Sequence, residues 1–331
     1  MSNIHVIAEA GTNHNADLPT AKKLVDAALA AGADSVKFQI IYPEGLYLPV
    51  LWQGGVATKN EVFQKRAEGM LSDGDYGVLA DYARERGIPF SASVFDARGL
   101  ALLDGFDPPY IKIASCDLNN VQLLAEAASL GRRLILSTGM ASLSEIEQAV
   151  EAVTSTGHQD LVLLHCVSIY PSPLARMNLS FIDVLRTTFG FPVGLSDHTE
   201  SSLAAAIAVS KGVTWIEKHF TLDRRSAGFD HAYAMEPAAL AQYVSDIRES
   251  EQACMPHQSK LTEGERTVKG RARRSLYAAR DLAPGERLTE ADVLVVRPEG
   301  PLSPAELKYV LDRPAKKPIL QYQALDLEMF G

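Results

Sequence analysis

Five charged side chains stand where a packed strand would ordinarily carry apolar ones. Glu9 closes the run "HVIAEAG", Lys37 sits in "SVKFQII", Lys112 in "YIKIAS", His198 in "PVGLSDHT" and His219 in "VTWIEKHFT". Charge at the end of a core strand is costly unless it is paired or used. The types suit a definite chemistry. Two lysines with the hydroxyls of Ser93, Ser115, Ser137, Thr138 and Ser196 suit an anion with several oxygens, a phosphate or a carboxylate. Two imidazoles with open positions suit Mn²⁺, Fe²⁺, Co²⁺ or Zn²⁺ better than Mg²⁺. Such an ion polarises a carbonyl, and Glu9 is the candidate acid or base. An anion, a carbonyl and a metal together point to carbon–carbon bond formation with a phosphorylated enol.

These residues need a frame that gathers strand ends. From residue 4 to about 253 one unit recurs: a β-branched run, a small polar or glycine turn, then helical spacing. Strands are expected at 5–11, 35–41, 89–95, 110–115, 134–140, 161–168, 192–199 and 213–221. Helices are expected at 18–32, 75–87, 142–157 and 201–212, with Gly32, Gly87, Gly157 and Gly212 at their C-caps. Eight such units read as a (β/α)8 TIM barrel over residues 1–253. A doubly wound open sheet is disfavoured. No G-x-G-x-x-G follows the first strand, and polar residues gather at nearly every strand end rather than at one switch point. Period-two alternation puts Lys37 with Gln39, and Glu217 with His219, on one face. Lys218 then points the other way. A lone histidine or lysine at a strand end is ordinarily structural. Eight polar strand ends together favour a site.

Residues 254–274 hold six Lys/Arg against two Glu without apolar periodicity, and read as a linker. Residues 275–331 read as a small β-rich module. The chain carries 32 Lys+Arg against 41 Asp+Glu, a net charge of −9, which disfavours nucleic acid as a partner. No signal peptide and no membrane span are read, and three scattered cysteines fit a reducing, cytoplasmic compartment.

The motifs "IAEAGTNHN", "GADSVKFQ", "IKIAS", "LILSTGM", "HCVSIYPSP", "GLSDHTE", "IEKHFTLDR" and "RPEGPLSP" occur in the order of the N-acetylneuraminate (sialic acid) synthase family. That family includes legionaminate and pseudaminate synthases. The resemblance covers essentially the whole chain, the tail resembling an antifreeze-like (SAF) domain. It implies condensation of phosphoenolpyruvate with an N-acylmannosamine-type sugar to a nine-carbon 2-keto acid and phosphate. It implies His198 and His219 as ligands of a divalent metal, with Mn²⁺ expected and Mg²⁺ or Co²⁺ as alternatives. It implies Lys37, Ser93, Lys112, Ser115, Ser137, Ser168, Tyr170 and Ser196 around phosphoenolpyruvate, and Glu9 as the catalytic glutamate. Gln39, Asp117 and Asp230 fall on the sugar side. Arg297 matches an arginine that reaches the partner subunit's site, which implies a domain-swapped homodimer.

The departures lie mostly on the sugar side. "SCDLNN" puts Cys116 and Asp117 where the family commonly has Gly and Glu, and "AGFD" replaces "PGPD". "SASVF" keeps the Ser93 hydroxyl and loses a proline. N-acetylneuraminate synthase is therefore the first expectation, with a legionaminate or pseudaminate synthase as the alternative. Other readings are weaker. A synthase of the 3-deoxy-manno-octulosonate 8-phosphate type would want a second basic cluster at the strand ends, and none is seen. A Schiff-base aldolase would use Lys112 or Lys218. A non-catalytic carbohydrate-binding barrel leaves the intact charged set unexplained.

Overall fold

The computed structural model describes residues 4–256 and 260–331. It divides into two units, Met1–Met255 and Pro256–Gly331. In the first, eight parallel strands close into a barrel: β1 (His5–Gly11), β2 (Ser35–Ile40), β3 (Phe90–Val94), β4 (Ile111–Ile113), β5 (Leu134–Ser137), β6 (Leu161–Cys166), β7 (Val193–Asp197) and β8 (Trp215–His219). Spatial order follows chain order, and β8 closes on β1. Each strand is followed by a helix: α1 (Leu18–Ala30), α2 (Asp73–Arg86), α3 (Ala97–Asp104), α4 (Val121–Ser129), α5 (Leu143–Thr154), α6 (Phe181–Phe189), α7 (Leu203–Ser210) and α8 (Pro237–Cys254). The (β/α)8 barrel expected from the repeat is the fold.

The strands are buried on both faces, which is why they read as near-continuous β-branched and leucine runs. Their outward side chains join the helices in one large core that includes Val6, Leu24, Leu79, Leu163 and Ile247. The inward side chains change character along the barrel axis. The lower layer is apolar: Ile7, Tyr110, Ile135, Val162, Leu164 and Trp215 pack together. His5 stacks on Trp215 with ring centroids 4.1 Å apart, and Ser35 Oγ bonds both His5 Nε2 (2.8 Å) and the Tyr110 hydroxyl (2.9 Å). The upper layer is polar and forms the site. Gly194 is required where β7 meets β8. A Cβ there would lie 2.4 Å from the Trp215 carbonyl oxygen and 2.5 Å from Leu164 Cδ2.

Helix starts follow local chemistry. Ser72 and Asp75 form a reciprocal capping box on α2, and Ser142 and Glu145 form one on α5. Between β2 and α2 the chain makes an insertion that no periodicity signals: a hairpin, Val50–Gln53 with Val56–Lys59, and a helix, Glu61–Glu68. The hairpin strands are exposed throughout, so no core face marks them in the sequence.

In the second unit, β9 (Ser275–Ala278) pairs antiparallel with β10 (Val293–Val296). Its own core gathers Leu276, Leu282, Leu288, Val310, Ile319 and Phe330. The stretch 254–274 contains a ten-residue helix, Glu263–Ala272, opened by a Thr262–Glu265 capping box. Acidic residues fill its first turn and basic ones its last, which suits the helix dipole. None of its residues is buried, so it carries no apolar stripe to be read.

Candidate active site

Barrel register sets the candidate residues side by side. Glu9 lies opposite Lys37 on one flank and opposite His219 on the other. Gln39 pairs with Ser93, Ser93 with Lys112, Cys166 with Ser196, and Ser196 with Glu217. Side chains two apart on a strand share a face, so these pairs all point inward at one level. They line a cavity of about 390 Å³ at the carboxyl ends of the strands.

Lys37 is held three ways. Its Nζ donates to Ser93 Oγ at 2.8 Å, lies 2.5 Å from Glu9 Oε2 and faces Glu217 Oε2 at 3.4 Å. Burial opposes its charge, but Glu217 and Glu9 raise its pKa above the ordinary value. Lys112 Nζ donates to Ser137 Oγ at 2.7 Å and to the Ile113 carbonyl at 3.1 Å. Burial dominates there and lowers its pKa, Glu217 opposing. The Ser115 hydroxyl accepts from the Gly139 amide at 3.0 Å. Ser196 Oγ donates to Glu217 Oε1 at 2.8 Å. Ser168 lies 3.8 Å from Cys166 Sγ, and Tyr170 leans on His198 with ring centroids 4.1 Å apart. The result is a pocket of two ammonium groups and five serines, open to an oxyanion.

Glu9 is buried and accepts from Gln39 Nε2 at 2.8 Å. Burial pushes its carboxyl up to about 7, Lys37 pulls it down, and the charge of Glu217 raises it further. Glu217 goes the other way. Burial opposes its charge, but Lys112 and Lys37 hold it below the usual carboxylate range. The two carboxyls beside one lysine are thus split into one that carries charge firmly and one that titrates near neutrality.

His198 and His219 meet with ring centroids 5.3 Å apart. His198 Nδ1 lies 2.9 Å from the Val167 carbonyl, the bond that turns the opposite nitrogen toward a ligand. His219 Nδ1 is buried and has no hydrogen-bond partner, and burial lowers its pKa to about 3, so the ring is neutral. His198 goes the other way: burial opposes its charge, but Cys166 and the Val167 carbonyl raise its pKa above the ordinary value. With that proton released, the pair offers two nitrogen donors that fit a divalent ion of the Mn²⁺ or Co²⁺ kind. No group of three or more His, Cys, Asp or Glu among the described residues is arranged to hold a metal, so further ligands would have to be substrate or water.

Asp230 also lines the cavity. Its Oδ1 accepts from the Tyr233 hydroxyl at 2.6 Å, and its buried Oδ2 has no partner. Asp117 does not line it. The Asp117 carboxylate accepts from Cys116 Sγ at 3.3 Å, and Cys116 takes the place on the cavity wall. Arg297 is exposed on the second unit, just past β10. Lys218 points away from the barrel axis and faces Asp197 at 3.2 Å, and Tyr243 donates to the same carboxylate at 2.7 Å. His165 and Thr138 are spent on backbone carbonyls, of Met177 and Leu164. Arg66 and Tyr233 line the cavity without a signal in the sequence, as do Leu46 and Tyr47. Arg66 comes from the insertion helix, and Tyr233 from the loop after β8.

Comparison with known proteins shows the family and the fold. The model of the NeuB family matches residues 24–259, and that of the SAF domain matches residues 273–326. The chain is 35% identical over 315 residues to the N,N'-diacetyllegionaminic acid synthase of Legionella pneumophila, covering 92% of this chain and 88% of that one. It is 31% identical over 317 residues to the pseudaminic acid synthase of Helicobacter pylori, covering 94% and 93%. Among solved structures, the N-acetylneuraminic acid synthetase of Leptospira borgpetersenii, in complex with citrate, superposes with a TM-score of 0.72 at 33% identity, covering 80% of this chain and 90% of that one.

Proposed function

The chain belongs to the NeuB family of sialic-type acid synthases, with a SAF domain following the barrel in sequence, and we propose that it condenses phosphoenolpyruvate with an N-acylmannosamine-type sugar. The observation that carries this reading is the pairing of Lys37 with Ser93 and Lys112 with Ser137, next to Glu9, His198 and His219 in one cavity. In this reading Lys37, Lys112 and the serines hold the phosphate and carboxylate of phosphoenolpyruvate. The enol carbon attacks the open-chain aldehyde carbon of the sugar, forming the new C–C bond, and the aldehyde oxygen takes up a proton. Water adds to the carbon that bears the phosphate, Glu9 receives the proton of that water, and phosphate leaves with its bridging oxygen. The products are a nine-carbon 2-keto acid and inorganic phosphate.

His198 and His219 would hold a divalent ion, Mn²⁺ first, which when bound polarises the aldehyde oxygen. Asp230, with a free buried oxygen, and Gln39 would hold sugar hydroxyls. Arg297 of a second copy would complete the sugar pocket in a domain-swapped homodimer. N-acetylmannosamine is the first acceptor to try, and the diacetamido-trideoxyhexoses are the alternative, given the legionaminic and pseudaminic acid synthases among the relatives. No helix among the described residues is long and apolar enough to cross a membrane, and a cytoplasmic site of action fits phosphoenolpyruvate as co-substrate. The test is phosphate release from phosphoenolpyruvate with Mn²⁺ and each acceptor in turn. Acceptor-dependent release with one of them supports the reading, and release with none of them sinks it.

A further inference from the structure

The insertion behind β2 brings a cation to the cavity that meets no carboxylate. Arg66 is 8% exposed. Its guanidinium lies 3.6 Å over the Phe229 ring, and Nη1 donates to Thr12 Oγ1 at 2.8 Å. Its Nε is buried without a hydrogen-bond partner. No ion pair among the described residues includes it, whereas the buried Lys37 and Lys218 each face a carboxylate. A buried guanidinium left without an anion is strongly unfavourable, so a counter-charge is expected from elsewhere.

The space beside it is shaped to supply one. Arg66 borders both the cavity of the site and a second cavity of about 540 Å³. Thr12, Asn15, Lys65, Met70 and Phe229 also line the second cavity. That lining holds two cations and no carboxylate, on a chain of net charge −9. Phe229 precedes Asp230, whose free oxygen lies in the first cavity, so one loop borders both spaces. The stack on Phe229 and the bond to Thr12 fix the plane of the guanidinium, which suits the fork geometry of a phosphate or carboxylate.

The geometry points to a second acceptor subsite: this cavity takes an oxyanion carried by the sugar at the end away from its reacting carbonyl, and Arg66 reads it. The inference rests on the condensation proposed above. A neutral polyol would leave the guanidinium uncompensated, so a sugar phosphate or a uronate is the favoured class.

The experiment compares kcat/KM, at saturating phosphoenolpyruvate, for N-acetylmannosamine, its 6-phosphate and its uronate, in the wild-type chain, Arg66→Met and Arg66→Lys. We expect one charged acceptor to exceed the neutral one by about tenfold or more in the wild type, mainly through KM. Arg66→Met brings that ratio near one, and Arg66→Lys restores part of it. Because the ratio is taken within each variant, partial misfolding cancels. A wild-type ratio at or below one, or a ratio that Arg66→Met leaves unmoved, overturns the subsite. If no acceptor is turned over, the condensation reading falls, and calorimetric binding of the 6-phosphate decides the subsite alone. Binding weakened about tenfold or more by Arg66→Met supports it, and equal binding in both chains overturns it.

Discussion

Lys37 and Lys218 are both buried, yet only the first faces the cavity. The difference is parity. Lys37 shares the inward face with Gln39, while Lys218 falls between the inward Glu217 and His219 and turns to Asp197. Burial makes each inward charge depend on its neighbours, so Glu9 and Glu217 titrate far apart beside one ammonium group. His219 contributes a neutral ring with a free nitrogen to the wall. His219→Ala should therefore lower kcat for phosphate release by about a hundredfold or more, and excess Mn²⁺ should not restore it. Near-normal release from that variant at saturating Mn²⁺ would remove the histidine pair from the metal assignment. Most of this set was legible in the sequence, because a charge ending a β-branched run has few bland explanations. Asp117 was less so: only the structure shows that Cys116, and not Asp117, lines the cavity. Arg66 had no signal at all. "FQKRAEG" reads as an exposed polar helix, and what buries Arg66 is contact with Thr12 and Phe229, 54 and 163 residues away in sequence.

The elements share out the work between the two sides of each strand. On the outer side of β7 and β8, Asp197 is held by Lys218 at 3.2 Å and by the Tyr243 hydroxyl of α8 at 2.7 Å. That triad ties the two strands that carry His198 and His219 to the helix layer. Breaking a buried pair by removing one partner leaves the other charge uncompensated, at a cost of about 3–5 kcal/mol. Lys218→Ala should accordingly lower the urea midpoint by that amount of stability, with the slope unchanged. A midpoint within experimental error of wild type would show that the triad does not clamp the strands. The barrel strands were legible because apolar runs recur with glycine-capped helices between them. The hairpin between β2 and α2 was not, since exposure on both faces erases the alternation that marks a strand. The helix Glu263–Ala272 escaped for a related reason: its capping box specifies it locally, without any buried face.

Across the whole molecule, burial of neutral histidines makes stability depend on acidity. His14 is buried in the loop after β1, and burial lowers its pKa from 6.5 to about 4, with Asp17 opposing. Between those values the unfolded chain binds a proton that the folded chain refuses, so stability is full above pH 6.5 and falls as the pH drops toward 4. For His14 alone the loss from about pH 7 to about pH 5 is about 2 kcal/mol. Denaturation at the two pH values should show it, and His14→Gln should flatten the difference by about that much. An equal pH dependence in the variant would assign the acid sensitivity elsewhere. The barrel and its SAF domain, each with its own core, follow from two clusters of buried residues that share no member. The proposed condensation turns on where phosphoenolpyruvate breaks. The direct measurement uses phosphoenolpyruvate labelled with ¹⁸O in the bridging position and follows phosphate by ³¹P resonance, with and without the acceptor sugar. Addition of water at the enol carbon predicts phosphate that appears only with the acceptor and carries the label. Phosphate that appears without acceptor, or that lacks the label, would contradict it.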